Sequence, residues 1–392
     1  MLLLCQPRPP RAGQIKFTNP DTQCTNLNQH PRRSLLLSTF HSILTAITPI
    51  DTSLAKPGQA RLDDLTKPKG SLGLLEDLAL QTYMIQGGTL PTADPARCYT
   101  VAGDHGVVAE GVSLFPQEVT RQMVLNFVSG GAAINVLTNT AGAEIFVVDA
   151  GSCGEGYDEH PKLIQNKIAP GTANMAQGPA MTQDQCLQAL LLGVRLADQA
   201  KTDGVNTLLT GDMGIGNTTP STALYCAFLG LEPEAMTGPG TGLDSKGVAG
   251  KAQVIAKALT VNGDAVNSGD PLNILAALGG LEIATLAGLI LGGAKNHQLV
   301  LVDGFISTAA YLAAWKLCPT VADYCVLSHA SAEQGHKKAV AAMGLRPLLD
   351  LSMRLGEGTG AAMALMVVRA ACDIMGKMAT FSQAGVSVAE SN

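Results

Sequence analysis

The chain is poor in charge. Only 15 % of its 392 residues are Asp, Glu, Lys or Arg. A disordered chain or a coiled coil carries far more, and both are excluded. No Lys/Arg cluster tracks one face, and the balance of 26 basic against 32 acidic residues gives a net charge of −6. Nucleic acid is therefore not an expected partner. Also missing are CxxC pairs and Cys/His pairs at finger spacing. The nine cysteines are scattered and odd in number. That excludes a structural zinc and a disulfide framework and points to free thiols in a reducing compartment. The fingerprints GxxxxGK[ST] and GxGxxG and the nucleophile elbow GxSxG are absent too. No metal and no cofactor is expected. The 43 glycines follow no triplet period, so collagen is excluded.

What is present suits a buried core: 46 % of residues are hydrophobic, in one large or two unequal domains. From residue 97 onward, β-rich runs alternate with helical patterns. The runs are 98–102, 145–150, 205–210, 298–303 and 324–328, and the helices include Gln183–Lys201, Thr218–Leu229 and Pro271–Leu291. The runs lack polar–apolar alternation, as parallel strands covered on both faces do. The pattern predicts an α/β fold with a mostly parallel sheet. Segments 41–95 and 358–392 read as a smaller helical domain built from both chain ends, leaving 96–357 as the large domain carrying the active site. Residues 1–40 hold five prolines, five basic residues and the lone acid Asp21. They read as a disordered extension or a misassigned start, with an organellar transit peptide as the competing reading. A cytoplasmic location is expected otherwise. The run Leu272–Ala294 has the length of a membrane span. Glu282 at its middle argues for a buried helix, so no membrane is expected.

Each expected strand ends in polar or glycine residues: GDHG after 102, DAGS at 149–152, GDMGIGN at 211–217, DGF at 303–305 and SHAS at 328–331. In open α/β sheets ligands bind at the carboxyl ends of strands. In GDMGIGNTTP, Gly214 and Gly216 let backbone N–H groups approach an anion, and the following helix start favours a phosphate. The loop 237–244 is followed by Lys246 and Lys251, either of which serves as a phosphate partner or lies on a solvated face. Glu357, between Gly356 and Gly358, is either a base made competent by desolvation or a dipole-stabilised helix start. Segment 104–124, with Phe115, Gln117 and Met123, offers an apolar wall with polar tips for a flat heterocycle. His329 and His336, read as two turns apart on a helix, are structural or phosphate-contacting. Cys153 reads as a strand-end thiol, reactive or merely buried.

KPKGSLGLLEDLA (67–79), the long stretch 103–137, GDMGIGNTTP, GTGLD, GGLEIATLAG (279–288), LVDGFISTAA (301–310), SHASAEQGH and LGEGTGAAMAL resemble the nicotinate-nucleotide–dimethylbenzimidazole phosphoribosyltransferase (CobT) family, in order from about 55 to 378. The resemblance implies a Rossmann-like large domain with helices on both faces, a small helical domain and a homodimer. It implies nicotinate mononucleotide and a benzimidazole as substrates. A pyridinium departs as a neutral ring and needs no acid. The attacking benzimidazole must lose its other N–H, so one carboxylate base suffices. By the match, Glu357 is that base. Gly214, Lys251 and Ser331 hold the phosphate, Gln117, Met123 and Leu355 line the benzimidazole pocket, and Asp303 lies beside the nucleotide. Asp212, assigned to the catalytic pair, stands where the family commonly has Glu. Adenine or a phenol as acceptor, or a non-catalytic nucleotide-binding homologue, are the competing readings.

Overall fold

The computed structural model describes residues 29–387. Six parallel strands form one sheet: β1 (Ala96–Gly103), β2 (Glu144–Gly151), β3 (Leu163–Gln165), β4 (Thr207–Met213), β5 (Leu299–Val302) and β6 (Cys325–Leu327). Their order is β3-β2-β1-β4-β5-β6. The order reverses between β1 and β4, which is where such sheets open a crevice for ligands. All eight residues of β1 are buried. Tyr99 reaches the carbonyl of Leu196 in the helix Gln183–Thr202, while Thr100 donates to the carbonyl of Glu357. Helices therefore cover both faces, and this is why the strands read as continuous apolar runs.

On one face the helices Gln183–Thr202 and Leu281–Lys295 pack together. Side chains at Gly193 and Gly288 would run into the opposing backbone at Thr285 and Leu190. The glycines in the apolar run thus set a close helix crossing. That run is not one helix, contrary to the expected Pro271–Leu291. Pro271–Leu278 ends, the chain extends through Gly279 and Gly280, and Leu281 starts the next helix. The break puts Glu282 in the first turn, fully buried against His105.

On the other face Thr359–Lys377 packs against Leu74–Ile85 and Ala133–Ala141. It has the length and hydropathy of a membrane span, yet much of its surface is inside the protein. Leu65 bridges to Thr380, so residues from near both chain ends meet here.

Two further expectations are corrected, and one element is new. A helix spans Gln29–Ala46, running from the stretch read as an extension across the boundary at 40 into the segment read as helical; residues 1–28 lie outside the described residues. Its apolar stripe, Leu37, Phe40, Leu44 and on to Ile47, straddles the boundary drawn at 40, so neither side showed a full period. The strand expected at 205–210 is β4, which starts later and runs to Met213, so Asp212 sits on the strand end and not in the following turn. The three-residue edge strand β3 was not anticipated; it is too short to carry a pattern.

Candidate active site

A cleft of about 330 Å³ opens at the β1/β4 switch point. Asp212, Gly214, Ser331, Leu355, Glu357 and Met123 line it together. A larger concavity, about 620 Å³, lies between Gly171–Gln185 and Asp264–Ala277; its lining offers Asp264 as sole ionisable side chain. The chemistry gathers in the smaller one.

Glu357 carries the unusual backbone. Its φ is +67°, flanked by Gly356 at +82° and Gly358 at +99°. A side-chain-bearing residue in this region costs on the order of 1–3 kcal/mol and persists only where its surroundings hold it. Here they do. Thr100 donates to its carbonyl at 2.9 Å. Asp303 accepts from the amides of Gly358, Gly360 and Ala361 at 3.1, 2.7 and 3.0 Å. Thr359 Oγ1 donates to the Gly356 carbonyl at 2.7 Å. The Glu357 carboxyl is buried and its Oε2 has no hydrogen-bond partner. Burial pushes its pKa up to about 7; the Ile134 amide opposes the rise and the charge of Asp303 adds to it. A group with that pKa can take a proton near neutral pH.

Asp212 lies beside it, with a side-chain oxygen close to Gly356. Its Oδ2 accepts from Asn217 Nδ2 at 3.0 Å, and its Oδ1 is unpartnered. Burial first, then the charges of Asp303 and Glu282, push its pKa well above the carboxylate range. Two carboxyls in one desolvated cleft do not both ionise easily, so the site holds one charge more readily than two.

Across the cleft Lys251 is buried on the helix Ser245–Val261 and donates to Thr218 Oγ1, which itself lines the cleft. Desolvation lowers its pKa to about 8, with Glu333 opposing the fall. Lys246 is exposed. The loop after β6 places Ser331 by an N–H donated to His336 Nδ1 at 3.0 Å. His336 must then be protonated at Nε2, which it directs at Thr308 Oγ1, 3.1 Å away. Burial pushes its pKa down to about 4.

A phosphoribosyltransferase family model matches residues 47–386. The chain is 64 % identical to the nicotinate-nucleotide–dimethylbenzimidazole phosphoribosyltransferase of Oleidesulfovibrio alaskensis over 350 residues, 89 % of this chain and 98 % of that one. The chain belongs to this family. It is also 52 % identical to the member from Chlorobaculum tepidum, over 89 % of this chain and 98 % of the relative. The crystal structure of the Thermus thermophilus member superposes with a TM-score of 0.81 at 46 % identity, covering 87 % of this chain and all of that one.

The remaining expected residues fall behind the lining of the cleft. Gln117 donates Nε2 to the His105 carbonyl at 2.9 Å and stands at the start of the helix Glu118–Ser129. Gly216 has φ +87° and packs on Val108. Asp303 is completely buried beneath the Glu357 turn, and its oxygens accept from backbone amides. The two histidines also differ from expectation: His329 lies in the loop before the helix Gln334–Ala342 that carries His336, so they share no helix. Cys153 is half-buried, and burial with the nearby Asp104 pushes its pKa up to about 11, the opposite of an activated thiol.

Two buried carboxylates were not singled out as functional. Glu333 lines the cleft and accepts the Gly240 amide at 3.2 Å. Glu282 pairs with His105 at 2.8 Å, and the charge of Glu282 raises the imidazole's pKa against the cost of burial. The available signal was an acid inside an otherwise apolar or small-residue run.

Proposed function

We propose that this cleft transfers the phosphoribosyl group of nicotinate mononucleotide to 5,6-dimethylbenzimidazole, giving α-ribazole 5′-phosphate, nicotinate and a proton, a step in assembling the cobalamin lower ligand. The observation that carries the mechanism is Glu357: a desolvated carboxylate with an unpartnered Oε2, held on a constrained turn at the switch point. Lys251, Thr218 and Ser331 receive the phosphate, with Gly214 giving it close access to the loop. The benzimidazole lies against Met123 and Leu355, with Phe115 and Val119 completing the wall and Gln117 fixing the helix start. One ring nitrogen attacks the anomeric carbon from the face opposite the pyridinium. The C–N bond to nicotinate breaks, its electron pair returning to the pyridine ring. The proton on the other benzimidazole nitrogen passes to Glu357 and then to water. Inversion gives the α linkage. Asp212, held toward its neutral form, stands as a hydrogen-bond donor beside the base.

The enzyme works as a homodimer in the cytoplasm. Exposed apolar residues, among them Leu114, Leu351 and the cleft-lining Phe115 and Leu355, support the first. The seven free cysteines among the described residues support the second. Light scattering of the purified chain and cell fractionation check them in turn. The reaction itself is tested by chromatography of incubations with nicotinate mononucleotide and an equimolar mixture of dimethylbenzimidazole, adenine and a phenol. Nicotinate and α-ribazole phosphate should appear one to one. A preferred adenine or phenol product would reassign the acceptor, and saturable binding without product would remove the catalytic reading.

A further inference from the structure

We propose that Thr120 is a positioning residue that fixes the spacing between the acceptor wall and the nucleotide loop. The inference rests on the reading that the helix Glu118–Ser129 lines the acceptor side and that the residues around Gly214 hold the nucleotide. Val119 and Met123 reach the cleft from that helix; Gly214 and Ile215 line it from the loop after β4. Thr120 points away from the cleft and is fully buried. Its hydroxyl accepts from the Ile215 amide at 3.1 Å and donates to Asp104 Oδ1 at 2.7 Å. A backbone N–H only donates and a hydroxyl has one proton to give, so the chain of bonds runs from Ile215 N–H to Thr120 and from Thr120 O–H to Asp104.

Asp104 cannot follow the helix. Its Oδ2 accepts the Cys153 amide at 2.7 Å, its own N–H reaches Gly151 at 3.0 Å, and its carbonyl accepts from Thr172 at 2.9 Å. The anchor is thus built on the ends of β1 and β2. The loop is seated on the same base, because a side chain at Gly214 would run into the Gly103 carbonyl and crowd the His105 ring. The Thr120 hydroxyl is the bolt between the two walls. Both of its bonds are shielded from water, so neither group can exchange to solvent when the hydroxyl is removed.

Bimolecular attack at an anomeric carbon depends on the separation of the two bound reactants, and a displacement of about 1 Å can cost about 10²-fold in rate. Thr120→Val keeps the shape and removes both bonds; Thr120→Ser keeps both bonds. Turnover, both KM values and thermal unfolding are measured on each, with rates expressed per folded enzyme. The Val variant should lose at least about 10-fold in kcat, with each KM changed by less than about 3-fold, and Ser should restore kcat to within about 3-fold of wild type. A folded Val variant with wild-type kcat overturns the proposal, as does a Ser variant as slow as Val, because Ser keeps both hydrogen bonds. Should Val be insoluble, the Ser/Ala pair differs by the same hydroxyl and decides in the same way. A wild-type chain that transfers no phosphoribosyl group would instead defeat the functional reading, and this proposal with it.

Discussion

At the scale of single residues, the cleft separates three ionisable groups by environment. Glu357 is tuned to about 7 and Lys251 to about 8. The base must be ionised and the phosphate partner protonated. kcat/KM should therefore rise with pH through about 7 and fall above about 8, in a narrow bell. A flat profile between pH 6 and 9 would mean that one of the two is not in its assigned role. The raised pKa of Glu357 also has a sign for stability. Its folded value lies above the unfolded one, so the folded state binds the proton more tightly. Stability on its account is greatest below the unfolded pKa and declines as pH climbs to about 7. Glu357→Gln removes that dependence. Asp212 behaves differently, because several neighbours and its burial all disfavour its charge. If it acts neutral, Asp212→Asn should keep turnover within about 10-fold of wild type, less than the loss from removing a general base. A deeper loss in steady-state kinetics would make Asp212 a second base.

At the scale of elements, the catalytic turn is held from below. Asp303 closes β5 and caps the start of Thr359–Lys377 by three amides, immediately after Glu357. Asp303→Ala leaves those amides unsatisfied and frees a residue whose φ of +67° is unfavourable without support. Thermal unfolding should show a loss of about 1–2 kcal/mol, and kcat should fall with little change in the KM for the nucleotide. Unaltered kcat in a stable Asp303→Ala protein would mean the turn holds itself.

The role of Asp303 illustrates what the sequence could and could not disclose. The motif DGF after an apolar run marks a strand end facing the ligand edge. Nothing local says that its partners stand 55 to 58 positions downstream. The helix break is a second case. Gly279–Gly280 is visible as a pair, but whether two glycines end a helix or merely loosen it depends on His105 pulling Glu282 into the core. Glu357 was legible for the opposite reason: its glycine neighbours are adjacent in sequence, and they are what permits the turn.

At the scale of the whole molecule, the alternation of buried β runs with helices gave the parallel sheet and placed five strand ends on one edge. The observed order β3-β2-β1-β4-β5-β6 then sets those ends around the β1/β4 crevice. That order is not written in any one segment, because it is decided by which helices cover which face. The part of the helix Gln29–Ala46 before residue 41 was not anticipated, because its apolar stripe meets the body through the helices Gln183–Thr202 and Leu281–Lys295, more than 130 residues away. Long-range packing of this kind leaves little local trace, whereas strand ends and glycine-flanked turns leave a great deal.

The proposed reaction requires this crevice to bring nucleotide and benzimidazole together under one carboxylate base. The most direct measurement is the turnover of Glu357→Gln, which keeps the side chain's shape and removes its basicity, alongside its affinity for nicotinate mononucleotide. The account predicts at least about a 10²-fold loss in kcat with nucleotide binding retained. Turnover equal to wild type would contradict it.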